Sequence, residues 1–220
     1  MNIARAIDHT LLKPDATREN ILKLCAEARE FGFFSVCVNS SWVAVAAEAL
    51  KGSEVRVAAV TGFPLGAMDS EAKAFETRLA VESGAGEIDT VLAVGRLKGG
   101  EESYVFDDLR GVVEAAGDAR VKVIFETCLL TDEEKLAACR IACEAGAAFV
   151  KTSTGFSSGG ATIEDVRLMA AAVAGKCLVK ASGGIRDSAS AKAMLEAGAS
   201  RLGTSNGIAI VQGSVAAQGY

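Results

Sequence analysis

A chain of 220 residues, half of them hydrophobic and few of them aromatic, can bury one sizeable core. Its formal net charge of −5 speaks against a basic face for nucleic acid but leaves room for a local positive pocket that takes a phosphorylated small molecule. No apolar signal core opens the chain, no apolar run approaches the ~20 residues of a membrane helix, and the six cysteines form neither a CxxC pair nor a Cys/His zinc spacing, so a cytoplasmic protein with reduced thiols and no membrane partner is expected.

The chain alternates short apolar runs with amphipathic segments rich in Ala, Glu, Lys and Arg. AIDHT precedes a helical segment over 17–31, and SVCVNS precedes one over 41–51. VAAVTG leads to 69–83, EIDTVLAV to 101–116 and VKVIFET to 132–145. FVKTS leads to 162–174, CLVKAS to 188–197 and RLGTS to 206–212. Thr17, Thr131, Thr162 and Asp187 stand where N-caps are needed. Glycines close several helical segments and run directly into the next strand, as in AREFGFFSVCV and CEAGAAFVKTS, where a left-handed residue suits a helix end.

Strands alternating with helices imply parallel pairing, because parallel strands need crossovers. Eight such units, with no GxGxxG after the first strand, predict a closed (β/α)8 TIM barrel of the α/β class rather than an open sheet. One domain over 1–220 is expected, with a short C-terminal tail from about residue 213. In such a barrel the chemistry sits where strands run into the following loops. That places Asp8, Thr10, Cys37, Asn39, Thr61, Asp89, Glu126, Thr127, Lys151, Thr152, Ser153, Lys180, Ser182, Thr204 and Ser205 at one mouth.

The stretch FVKTSTGFSSGG is nearly repeated by LVKASGGIRD, so two lysines, Lys151 and Lys180, end neighbouring strands ahead of Gly/Ser loops. A buried lysine can act as a nucleophile if its amine is neutral, which at pH 7 needs a depression of about three units from ~10.4. Burial and a second cation nearby both work in that direction. One lysine then reacts and the other keeps it neutral; the alternative is a polar layer satisfied by Asp89 or Glu126. Asp89, in an otherwise apolar strand, can handle the proton transfers of Schiff-base chemistry or can serve as a counter-ion. The loops TGFSSGG, SGGIRD and GTSNG can form an anion cradle from backbone N–H groups.

IDHTLLKPDAT, VTGFPLGA, EIDTVL, KVIFETCLLTDEEK, FVKTSTGFSSGGAT, VKASGGIR and RLGTSNG, in this order, resemble the 2-deoxyribose-5-phosphate aldolase family from about Ile7 to Ile210. The resemblance implies a class I aldolase of deoxyribose phosphate catabolism that needs neither metal nor cofactor. Such an enzyme reversibly cleaves 2-deoxy-D-ribose 5-phosphate to D-glyceraldehyde 3-phosphate and acetaldehyde, so its partners are a small phosphosugar and aldehydes. Lys151 is then the Schiff-base nucleophile, Asp89 takes part in proton transfer, and Lys180 tunes the nucleophile and relays protons. Gly155, Gly183, Gly184 and Ser205 match phosphate-binding positions, with Thr154 beside them. Tyr220, at the end of the tail, matches a terminal tyrosine that assists proton transfer in some members. Ser40 stands where the family often has proline, and Asn206 where some members have serine. A homodimer is expected. The rival readings are another Schiff-base phosphosugar aldolase or transaldolase-like enzyme, and a catalytically silent phosphosugar-binding barrel.

Among the other residues, His9 reads as structural, and Asp8 and Thr10 as orienting the network. Cys37 reads as a small buried hydrophobe or an aldehyde-reactive thiol, and Glu126 as supporting a lysine. Lys122 is expected to snorkel at the opposite face of the barrel. Arg186 is expected to reach the phosphate or to pair with Asp187 or Glu164.

Overall fold

Eight short runs of Val, Ile, Ala and Phe, too short for helices, become eight strands, and the polar-faced segments between them become the helices that cover them. The computed structural model describes residues 3–214. The strands are β1 (Ile7–Leu11), β2 (Ser35–Asn39), β3 (Arg56–Thr61), β4 (Glu87–Val91), β5 (Arg120–Ile124), β6 (Phe149–Lys151), β7 (Leu178–Ser182) and β8 (Arg201–Thr204). Each pairs in parallel with the next, and β8 returns to β1 to close the barrel. The helices are α1 (Arg18–Phe31), α2 (Val43–Ala49), α3 (Ser70–Glu82), α4 (Val94–Lys98), α5 (Glu102–Ala116), α6 (Asp132–Glu144), α7 (Ile163–Val173), α8 (Ser188–Glu196) and α9 (Gly207–Gln212).

The anticipated caps form. Thr17 and Thr131 make reciprocal capping boxes with Asn20 and Glu134, the Thr162 side chain accepts from the Asp165 amide, and Asp187 accepts from the Ser190 amide. Gly32 after α1 takes a left-handed conformation and lets the chain turn straight into the next strand.

Outward-facing residues such as Val36, Ile88, Val123, Val150 and Leu202 pack against Ile21, Leu109, Ala138 and Met169 of the helices in one continuous core. Two buried ion pairs tie the helical layer together. Lys73 of α3 donates to Asp108 of α5 at 2.6 Å and to the Val91 carbonyl at 3.0 Å, and Lys135 of α6 donates to Asp165 of α7 at 2.6 Å.

Inside the barrel the environment is divided. Leu12, Cys37, Ala58 and Val60 form a small apolar cluster, while β4 to β8 and β1 point charged side chains inward. The charged part of the inner face is where the candidate site lies.

Three local features depart from the sequence expectation. The fourth run, EIDTVLAV, ends as a strand at Val91, and Val94 already belongs to the short α4. The fifth run bends early, because Glu126 adopts a left-handed conformation with φ 56°. Sequence also predicts six separate reduced thiols, whereas Cys143 near the end of α6 and Cys177 before β7 are joined as a disulfide, with Cα atoms 5.9 Å apart. A separation of 34 residues with no spacing motif leaves that pairing invisible in the sequence.

Candidate active site

Strand register assembles the site. Lys151 at the end of β6 pairs directly with Lys180 in β7, which pairs with Arg201 in β8. Asp89 in β4 pairs with Lys122 in β5. All of these residues are buried, so each charge needs partners.

Asp89 is the hub. Its Oδ2 accepts from Lys151 Nζ at 2.7 Å and from Lys180 Nζ at 2.7 Å, while Oδ1 accepts from Lys122 Nζ at 2.6 Å. Lys180 Nζ also donates to Asp8 Oδ2. Asp8 Oδ1 in turn accepts from Ser35 Oγ at 2.7 Å.

The two lysines then diverge in acidity, although they sit side by side. Burial disfavours an ammonium on Lys151; Asp89 opposes that, and the positive charge of Lys180 adds to it, leaving the Lys151 pKa below its ordinary value. Burial disfavours an ammonium on Lys180 as well, but the carboxylates of Asp8 and Asp89 outweigh it and hold its pKa above the ordinary value. Asp89 is desolvated, yet Lys122, Lys151 and Lys180 hold its carboxyl well below the usual carboxylate range. The geometry therefore yields, at rest, one amine poised to lose its proton, one ammonium held by two carboxylates, and an ionised carboxylate between the two lysines.

Above Lys151 opens a pocket at the mouth of the barrel. Thr154, Gly155, Gly183, Gly184 and Ser205 line it together with Lys151, Thr10, Arg186 and Asn206. The Ser182 hydroxyl at its wall is buried without a hydrogen-bond partner. Among the described residues no group of three or more His, Cys, Asp or Glu is arranged to hold a metal.

Other residues expected at the mouth have different tasks. Asn39 donates to the Leu12 carbonyl, Thr61 faces Thr77 of α3, and Thr152 locks β6 to β7 through the Ser182 backbone. Glu126 contacts no lysine; it accepts from the Thr154 hydroxyl and amide and holds the loop after β6. His9 points away from the site, with its Nε2 2.8 Å from Glu27 Oε2. Cys37 faces the network, but burial, with Asp89 adding to it, pushes its thiol up to about 11, so it is a neutral wall rather than a reactive thiolate. Ser40 donates to Glu76 at 2.7 Å, anchoring the loop after β2. Arg186 forms no ion pair among the described residues and lines the pocket. Tyr220 lies outside the described residues.

One expectation is overturned. Lys122 does not snorkel to the far face; it is fully buried inside the barrel between Asp89 and Glu87, 2.7 Å from the latter. It is the third residue of its strand rather than the first, so its side chain follows the inward pleat. The sequence signal was available: Glu87 and Asp89 alternate in EID, and both need a cation from the adjoining strand.

Gly203 of β8 makes the crowding possible. A Cβ there would lie 2.3 Å from Ser182 Oγ and 3.0 Å from Lys180 Cε. Gly203→Ala is expected to push Lys180 off Asp89, lowering kcat at least about tenfold and costing about 1–3 kcal/mol of stability. Steady-state kinetics and a thermal melt check both effects.

A parallel barrel that holds an amine of lowered pKa under a loop-lined pocket has the parts that carbonyl chemistry through a lysine needs. A family model described as DeoC/LacD family aldolase matches residues 2–213, and the chain belongs to that family. It is 60% identical over its whole length to a deoxyribose-phosphate aldolase of Geobacillus sp. (strain WCH70), covering 99% of that protein. It is 58% identical to one of Bdellovibrio bacteriovorus, covering all of both chains. It also resembles a tetrameric deoxyribose phosphate aldolase from Aeropyrum pernix, with a TM-score of 0.90 and 33% identity over 96% of this chain and 89% of that one.

Proposed function

We propose that this chain reversibly cleaves 2-deoxy-D-ribose 5-phosphate to D-glyceraldehyde 3-phosphate and acetaldehyde through a Schiff base on Lys151. The observation that carries this reading is the depressed amine of Lys151 at the foot of a pocket lined by three Gly/Ser loops. The naming of the 60% identical relative supports the substrate.

Neutral Lys151 adds through Nζ to the C1 aldehyde of the open-chain sugar, and loss of water leaves an iminium. Removal of the C3 hydroxyl proton turns C3 into a carbonyl as the C2–C3 bond breaks, and its electron pair passes to C2 and into the iminium. Glyceraldehyde 3-phosphate leaves, and an enamine remains. Protonation at C2 followed by water attack at C1 frees acetaldehyde and the amine. Asp89 and Lys180 flank Nζ and form the pair through which these protons pass.

The phosphate is held by backbone amides around Thr154, Gly155, Gly183, Gly184 and Ser205, with Arg186 supplying a cation at the rim. Gly184 has φ 79° and open space where a Cβ would go, so Gly184→Ala strains the loop without filling the pocket. The expected result is a KM for deoxyribose 5-phosphate raised about tenfold, with kcat for it changed far less. The direct test is a coupled assay for acetaldehyde release. Cleavage of deoxyribose 5-phosphate supports the reading. A requirement for dihydroxyacetone units would favour the transaldolase-like alternative, and binding without turnover the silent barrel.

Further parts of the reading extend beyond the site. The proposed organisation is one barrel domain over 1–220 with a short C-terminal tail from about 213, and Tyr220 is the tail's candidate for proton transfer at the acetaldehyde methyl. The chain works in the cytoplasm as a homodimer. Phe75 and Leu79, half exposed on α3, support an apolar contact between copies.

A further inference from the structure

The charges beneath Lys151 close into a ring. Asp89 meets Lys122, Lys122 meets Glu87, and the same Glu87 oxygen meets Arg201 Nη1 at 3.1 Å. Arg201 Nη1 meets Asp8 Oδ1 at 2.8 Å, Asp8 meets Lys180, and Lys180 returns to Asp89 at 2.7 Å. Cations and carboxylates alternate all the way round, and the ring is formally neutral. Lys151 hangs outside it and, among the described residues, is ion-paired with Asp89 Oδ2 alone. A proton on Lys151 is therefore a surplus charge in a buried site, whereas each ring lysine has two anionic neighbours.

We propose that this closed ring sets the protonation state of Lys151, and that Glu87 and Arg201 on its far side are positioning residues that tune the nucleophile without touching it. The inference rests on the reading of Lys151 as the nucleophile. Every strand packed around the amine is accounted for. β1 brings Asp8, β2 the neutral Cys37, β4 Glu87 and Asp89, β5 Lys122, β7 Lys180 and β8 Arg201, while β3 contributes apolar Ala58 and Val60 and, at its exposed start, Arg56, whose guanidinium carbon lies 5.5 Å from the centre of the Phe34 ring. Arg201 is pinned further by Phe34, whose ring centre lies 3.4 Å from the guanidinium carbon. Its charge is thus fixed in place, as remote tuning requires.

As a general scale, a unit charge about 8–10 Å from a titrating group, at an effective dielectric near 20, shifts its pKa by roughly one unit. The direction depends on the sign removed. Arg201→Gln leaves the ring with a surplus carboxylate, so Lys151 keeps its proton to higher pH. Glu87→Gln leaves a surplus cation, so Lys151 releases it at lower pH. Arg201→Gln combined with Glu87→Gln restores neutrality.

The test is the initial rate of acetaldehyde adduct formation on Lys151, trapped by cyanoborohydride and followed by mass spectrometry against pH, with circular dichroism confirming each fold. The expected midpoint moves up by about one unit in Arg201→Gln, down by about one unit in Glu87→Gln, and back towards wild type in the double variant. Lost packing or general destabilisation gives no such opposite pair of shifts. Should Arg201→Gln fail to fold, Arg201→Lys, with the charge kept, is expected at the wild-type midpoint while Glu87→Gln still moves down. Shifts in one direction only, an unmoved midpoint in folded Glu87→Gln, or a double variant that does not return would overturn the ring. A wild type without adduct at any pH would instead overturn the reading of Lys151, and this inference with it.

Discussion

Lys151→Ala loses at least about 10⁴-fold in kcat while remaining folded and still binding deoxyribose 5-phosphate. The size of the loss follows from the role. Without an amine in that place no iminium forms, and the C2–C3 bond has no electron sink. The fold survives because Lys151 has one ionic partner among the described residues, Asp89, which keeps Lys122 and Lys180 after the substitution. The glycines, Thr154 and Ser205 of the loops above Lys151 are unchanged by the substitution. Kinetics at saturating substrate and ligand binding by calorimetry separate the two properties. A loss of binding equal to the loss of turnover would contradict the assignment.

Lys180→Met has the second largest effect, and it acts through pH. Lys180 is the ammonium that lowers the Lys151 pKa, after burial itself. Its removal also leaves Asp8 and Asp89 short of a cation, so Lys151 holds its proton to supply one. For a base that acts when neutral, activity rises with pH through its pKa, and below that pKa each unit of upward shift costs about tenfold. The upward shift cuts the rate at pH 7 by about 10²–10³-fold, and part of the rate returns as the pH is raised towards 10. Thermal stability falls too, because removing one partner of a buried ion pair costs about 3–5 kcal/mol. A uniformly low pH profile with no alkaline recovery would show that Lys180 acts only as a proton relay and not as the charge that keeps the nucleophile neutral.

The barrel was legible in the sequence because its signals are local. Thr17, Thr131, Thr162 and Asp187 cap the helices they precede, and apolar runs of strand length recur between them. The upper part of the site was legible too, since Lys151 and Lys180 each precede a Gly/Ser loop, and topology brings consecutive strands together. The floor was not. Asp8 and Arg201 meet across 193 residues, and Glu87 and Arg201 across 114. Only barrel closure, β8 onto β1, places them in contact. Lys122 was misplaced for a related reason: a lysine near a strand start ordinarily snorkels, and only the inward carboxylates of Glu87 and Asp89 make burial favourable. The Cys143–Cys177 disulfide likewise joins positions that no local pattern links.

The most direct measurement is the intact mass of the wild-type protein and of Lys151→Ala after borohydride reduction in acetaldehyde, followed by peptide mapping. A single two-carbon adduct on Lys151, absent from the variant, is the predicted result. An adduct mapped mainly to Lys180, or none on a folded protein that binds deoxyribose 5-phosphate, would contradict the assignment of Lys151 as the nucleophile.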